Sequence, residues 1–257
     1  VGAAYAGGKL DQLETWARSL TRMAFLSLVD LRFSGGGLVE GREIMTLLDK
    51  LGLPERIEDL AIPFAAVATD LETGREVWLR EGRLDLAVRA SVSMPGIISP
   101  LHYQGRWLLD GGMVNPVPVS LARALEADVI IAANPNARPD GALWRAPDQP
   151  PPSSGLSTLQ DRLPEALKGL LPSEPRRGKR RAPGYLDVLS TSVDIMTDQI
   201  RRSRLAGEPP QVMLSADLSD MMVLDFHRAA QAIEDGRRMV EENAIVLDRI
   251  AANRRMG

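Results

Sequence analysis

The sequence predicts an α/β fold, a doubly wound and mostly parallel sheet flanked by helices. Three observations carry that expectation. Ile62 to Thr69 and Val129 to Ala133 are nearly continuous apolar runs of strand length, the pattern of strands buried on both faces of a parallel sheet. Helical periodicity falls between them, at Leu84 to Ser91 and Val117 to Leu125, and strand, helix, strand in that rhythm puts chemistry at the carboxyl ends of the strands. At 257 residues and 44% hydrophobic content, the chain can bury the core of one such domain.

Taken in order, Val1 to Ala6 is small and apolar, and Gly7-Gly8 ends a helix there. Asp11 to Arg22 predicts a helix with Leu13, Trp16, Ala17 and Leu20 on one face, and Phe25 to Asp30 a short extended or 3₁₀ segment. Ser34-Gly35-Gly36-Gly37 has the composition of an anion-binding loop, but the nucleotide fingerprints are absent, and it reads as a loop capping the helix Gly41 to Leu51. After the apolar strand, Glu72-Thr73-Gly74 turns the chain and Glu76 to Leu79 pairs back. Leu84 to Ser91 is a helix with Leu84, Ala87 and Val88 inward. Small residues and two prolines stop it in Ala90 to Pro100, A-S-V-S-M-P-G-I-I-S-P. Leu101 to Leu109 then reads as a hairpin, with Gln104-Gly105 as the tight turn between His102-Tyr103 and Arg106-Trp107.

The stretch that organises the rest is Arg106 to Pro118, R-W-L-L-D-G-G-M-V-N-P-V-P. A short apolar strand runs straight into Asp110, and the two glycines that follow let backbone approach a ligand closely. Asp-Gly is also a common turn dipeptide, so these residues alone leave a plain turn open.

The order of features is more specific than any one of them. Ile62 to Asp70, I-P-F-A-A-V-A-T-D, a Ser-x-x-x-Pro helix end, the hairpin, Asp-Gly-Gly and Asn115-Pro116 together resemble the patatin-like phospholipase family, in particular its bacterial members. The likeness runs without an obvious gap from Pro63 to Asn134, and more weakly over Val1 to about Lys50 and Val212 to Gly236. It implies a patatin-like doubly wound α/β domain spanning 1–257. The implied activity is a serine acyl hydrolase that uses a Ser-Asp dyad, no cofactor and a lipid acyl ester, phospholipid or lysophospholipid. By this resemblance Asp110 is the partner of the nucleophile, and Gly111, Gly112 and Asn115 form the turn around it. The family's serine lies in a Gly-x-Ser-x-Gly elbow preceded by a glycine-rich oxyanion loop. No Gly-x-Ser-x-Gly occurs here.

Val1 to Ala6 resembles the helix that leaves the elbow, and the chain lacks a methionine start. The expectation is therefore an N-terminally incomplete domain that carries the Asp but not the Ser, inactive as it stands. A missing first strand would also leave an unpaired edge beside Ile62 to Thr69. Two rival readings remain: a non-catalytic patatin-fold binding or scaffolding protein, and a Ser-His-Asp hydrolase, which would need His102 or His227 within hydrogen-bond reach of Asp110.

Composition narrows the partners. A net charge of -3 argues against a general nucleic-acid binder, and the lack of cysteine excludes disulfides, thiol catalysis and Cys-ligated metal. With two histidines and no His-x-x-x-His pair, no metal site is expected. No run approaches eighteen apolar residues, and the N-terminus lacks the basic start and apolar core of a signal peptide, which points to a cytoplasmic chain. About residues 135–183 the composition shifts to a Pro/Arg-rich insertion. Leu156, Leu159, Leu163, Leu167, Leu170 and Leu171 recur there at helical spacing, interrupted by Pro164, ahead of Arg176, Arg177, Lys179, Arg180 and Arg181. That combination fits peripheral contact with an anionic membrane; a packed helix followed by a solvated linker is the other reading. Tyr185 to Leu205 predicts a helix and Gln211 to Ser215 a strand. From Asp225 a long helix follows, with Phe226, Ala229, Ala230, Ile233, Met239 and Val240 on one side and His227 beside them.

Overall fold

The computed structural model describes residues 1–21, 39–135, 185–218, 221 and 225–254. The chain divides into two compact units, residues 1–137 with 200–257, and residues 138–199. Elements run in the order α1 (Gly2–Ala6), α2 (Leu10–Ser19), α3 (Arg42–Lys50), β1 (Ala66–Asp70), β2 (Glu76–Leu79), α4 (Leu84–Ser91), β3 (Leu101–Tyr103) and β4 (Arg106–Asp110). Then come α5 (Val119–Ala124), β5 (Ile131–Asn134), α6 (Tyr185–Gly207), β6 (Val212–Ser215), α7 (Ala229–Glu242) and α8 (Ala244–Arg254). Residues 185–199 of α6 are the described part of the second unit and expose Val188, Ile195 and Met196.

The larger unit is built on a four-stranded sheet of order β2-β1-β4-β3. Two local turns set its register. Asp70 closes the first, its Oδ1 accepting from the Glu72 N–H at 2.9 Å, with Gly74 at φ +66° behind it. The second carries Gln104 and Gly105 at φ +51° and +76°, the doubly left-handed backbone that a two-residue hairpin requires. One face of the sheet, with Ala66, Ala68, Leu79 and Leu108, packs on Leu84, Ala87 and Ala90 of α4 and on Ala3 of α1. The alanines of β1 and α4 let helix and strand approach closely, so α4 sits directly under the strand ends. A second core gathers Val117, Val119, Ile130 and Ala132 with Leu205 and Met213.

The α/β class holds, but direction differs from expectation in the four-stranded sheet, where β1 runs antiparallel to both β2 and β4. All five residues of β1 are buried, so its apolar run reflects cover on both faces, which antiparallel neighbours also permit. The strand starts at Ala66, leaving Ile62 exposed, and it has partners on both sides; the unpaired edge expected there is not found. Parallel pairing appears between β5 and β6. β5 alternates in exposure, Ile131 being half exposed, where burial throughout was expected.

In α2 the expected face is inward: Leu13, Trp16 and Ala17 are half-buried and Leu20 is buried. Beyond residue 225 the single long helix is a 3₁₀ turn followed by α7 and α8, broken at Asn243. Its inward stripe keeps Ala229, Ile233 and Met239, whereas Phe226, Ala230 and Val240 are exposed. The segments 25–30, 34–37 and 156–171 and the Arg176 to Arg181 cluster lie outside the described residues.

Candidate active site

Asp110 ends β4, and its backbone is fixed from two sides. Its N–H donates to the Ser93 carbonyl at 3.0 Å, and its carbonyl accepts from Thr69 Oγ1 at 2.7 Å. The chain then leaves the sheet in a 3₁₀ turn, Gly111–Met113, which Asp110 caps by accepting the Gly112 N–H on Oδ1 at 2.7 Å. That bond turns the carboxylate inward over its own backbone. Burial pushes its pKa above the usual carboxylate range, and the Gly112 bond opposes that less strongly. A desolvated, raised carboxyl at a strand end is a better proton acceptor than a surface aspartate.

Asn115 is buried, and Nδ2 donates to Glu76 Oε1 at 2.8 Å and to Ser120 Oγ at 3.0 Å. Glu76 takes two further donors, Trp78 Nε1 at 2.6 Å and Arg204 Nη2 at 2.8 Å. Below Asp110, Arg89 is buried and spans three acceptors: the Glu40 carbonyl at 2.6 Å, Ser93 Oγ at 2.6 Å and the Ser99 carbonyl at 2.8 Å. Burial holds its guanidinium below its ordinary pKa.

Of the expected turn residues, Gly112 bonds the Asp110 carboxylate, Gly111 follows it in the turn, and Asn115 is bonded to Glu76 and Ser120 instead; Glu76, Arg204 and Arg89 were not anticipated. Glu76 and Arg204 lie far from Asn115 along the chain and carry no local signal. Arg89 had one, a charged residue between the inward Val88 and Ala90 of α4.

Neither histidine serves Asp110. His102 pairs with Trp107 across the hairpin, their ring centroids 5.1 Å apart, on the face of β4 opposite that of Leu108 and Asp110. His227 Nδ1 lies 4.0 Å from Asp225 Oδ1, and among the described residues the hydrogen bond to the Asp110 carboxylate comes from Gly112. The Ser-His-Asp reading therefore has no geometry here. Ser93 Oγ is taken up by Arg89 and by the Arg89 carbonyl. Ser99 Oγ is buried with no hydrogen-bond partner among the described residues. Those residues contain no helix long and apolar enough to cross a membrane and no cluster of His, Cys, Asp or Glu able to hold a metal.

A half-buried carboxylate on a strand end, followed by two glycines and a buried asparagine, defines an α/β protein with an acidic turn held at the end of its sheet. The family model for patatin-like phospholipase matches residues 1–123, the segment that contains this turn. NTE family proteins of Mycobacterium tuberculosis and Mycobacterium bovis are 31% identical over 287 aligned positions, covering 94% of this chain and 79% of theirs. Patatin-like phospholipase domain-containing protein 7 of Rattus norvegicus is 31% identical over 125 positions, 48% of this chain and 9% of its own length. The human patatin-like phospholipase domain-containing protein 6 is 29% identical over 139 positions, 51% of this chain and 10% of its own. The chain belongs to the patatin-like phospholipase family, a family of lipid hydrolases.

Proposed function

We propose that the protein hydrolyses lipid acyl esters, with Asp110 as the general base of a Ser-Asp dyad. The observation that supports this most directly is the half-buried carboxyl of Asp110, fixed at the strand end by Ser93, Thr69 and Gly112 and raised by desolvation. In this reading Asp110 accepts the serine hydroxyl proton as that oxygen attacks the ester carbonyl, the alcohol leaves, and water releases the acyl group by the reverse transfer. The serine is supplied by a Gly-x-Ser-x-Gly elbow that is not among these 257 residues, so the chain alone does not turn over esters. Residues 1–257 form one patatin-like domain, with 135–183 as an insertion whose Arg176, Arg177, Lys179, Arg180 and Arg181 draw it to anionic lipid surfaces.

The test is paired. A fluorophosphonate probe, which labels activated serines, should leave the 257-residue chain unlabelled and label a form of the protein that carries the elbow. In that form Asp110→Asn should lower nitrophenyl ester hydrolysis by about 10²- to 10⁴-fold. Wild-type turnover by the Asn variant would remove Asp110 from the chemistry. No labelling of either form would favour the binding or scaffolding reading.

A further inference from the structure

We propose that Glu76 and Arg204 are positioning residues for Asp110, acting through Asn115; this rests on Asp110 being the dyad base. Asp110 itself is held by the sheet, but the carboxylate takes its orientation from the Gly112 N–H, and Gly112 is already outside the sheet. Within the turn, the backbone bonds of Val114 and Asn115 both return to the Gly111 carbonyl, at 3.1 and 2.9 Å. Those bonds close the loop on itself, and close contact with Val67 of β1 seats its start at Gly111, but neither ties down its far end. The side chain of Asn115 supplies that tie, at 2.8 Å to Glu76 on β2 and, less closely, at 3.0 Å to Ser120 Oγ.

Glu76 is built to hold it. Three donors of different chemistry converge on its carboxylate: the Asn115 amide, the Trp78 indole on the same strand, and the Arg204 guanidinium from the last turns of α6. The Glu76 side chain is 14% exposed and Arg204 39%, so the cation shields a mostly buried anion while staying in touch with water. Oε1 serves Asn115 and Trp78, and Oε2 serves Arg204. The carboxylate is thereby locked in one rotamer by its own strand and a helix, and Asn115 reads that fixed position. Without it the turn could drift while the fold persists, and a general base misplaced by about 1 Å can lose on the order of 10²-fold in rate.

The test uses the active protein that carries both Asp110 and its serine, comparing kcat and KM for a nitrophenyl ester alongside urea unfolding. Glu76→Ala and Asn115→Ala should each lower kcat at least about tenfold with KM unchanged within about twofold, and the double variant should be no worse than the worse single one. Glu76→Gln keeps an oxygen facing Asn115 and should recover most of kcat. Arg204→Gln, at a partly exposed position that tolerates change, should lower kcat a few-fold and still fold. Unchanged kcat in Arg204→Gln and Glu76→Ala, or losses that multiply in the double variant, would overturn the proposal. Asp110→Asn is the reference: if it is inactive while Glu76→Ala is fully active, the positioning role alone fails, and if it is active, the dyad itself fails.

Discussion

A Cβ built on Gly111 would stand 2.2 Å from the carbonyl oxygen of Val67, closer than any side chain can approach a backbone atom. The glycine is therefore what lets the turn after β4 lie against β1. Neither strand can yield, because Ala68 and Asp110 are paired in the sheet and the Asp110 carbonyl is bonded to Thr69. Gly111→Ala should destabilise the 257-residue chain by about 3 kcal/mol or more in urea unfolding, at or above the usual range for overpacking against an unyielding neighbour. Gly112→Ala is a different case, since its Cβ would meet Asp110 Oδ1 at 3.1 Å, the end of a side chain that can shift. That variant should unfold near the wild-type midpoint. Equal losses from the two substitutions would contradict the geometry.

The second prediction concerns pH. Burial raises the Asp110 carboxyl in the folded chain, so the folded state holds this proton more tightly than the unfolded state does. Stability contributed by the group is thus present at low pH and lost as pH rises through the window from the ordinary carboxylate pKa to the raised one. At neutral pH the ionised carboxylate is a cost to folding. Asparagine keeps an oxygen to accept the Gly112 N–H without that charge. Asp110→Asn should therefore raise the urea midpoint at pH 7 and leave it nearly unchanged at pH 3. A shift of equal size at both values would show that ionisation is not the cause.

Much of this site was legible because its signals are local. Asp110, the glycines and Asn115 fall within six consecutive residues, and the hairpin before them is fixed by two turn residues. The partners were not legible, since Glu76 meets Asn115 only through the pairing of β2 with β1, and Arg204 meets Glu76 only through the return of α6. Strand direction was misread for a related reason. An apolar run reports that a strand is covered on both faces, and β1 is covered by the α4 side and by the turn side without a parallel neighbour. On the C-terminal helices, the expected stripe failed at Phe226, Ala230 and Val240. The 3₁₀ turn Phe226–Arg228 takes Phe226 out of the helical phase, whereas Ala230 and Val240 lie within the unbroken α7 and their exposure has no such cause.

Arg89 gives the third prediction. Its guanidinium links the Glu40 carbonyl, Ser93 Oγ and the Ser99 carbonyl, and Ser93 in turn receives the Asp110 N–H. Truncation would leave the buried Ser99 carbonyl and the half-buried Glu40 carbonyl without this donor, each at a cost on the order of 1–3 kcal/mol, and would take one of the two partners of the Ser93 hydroxyl. Arg89→Ala should cost roughly 3 kcal/mol or more. Arg89→Lys should rescue little, because an ammonium point charge cannot span acceptors arranged around a planar fork. Urea unfolding of both variants checks this, and a lysine variant as stable as wild type would mean that charge, not the fork, is what the site needs.

Ser99 leads to the opposite expectation. Its hydroxyl is buried and makes no hydrogen bond among the described residues, although its own carbonyl is held by Arg89 and its N–H by the Val39 carbonyl. The backbone there is fixed by others, so the side-chain oxygen contributes desolvation cost without a compensating bond. Ser99→Ala removes that oxygen, leaves a void smaller than a methyl group, and should raise stability by about 1 kcal/mol in urea unfolding. In the form of the protein that carries a Gly-x-Ser-x-Gly elbow, the same substitution should leave ester turnover and fluorophosphonate labelling unchanged. If instead Ser99→Ala abolished turnover, Ser99 would be the hydroxyl that Asp110 serves, and the dyad would have to be rebuilt inside residues 93–110.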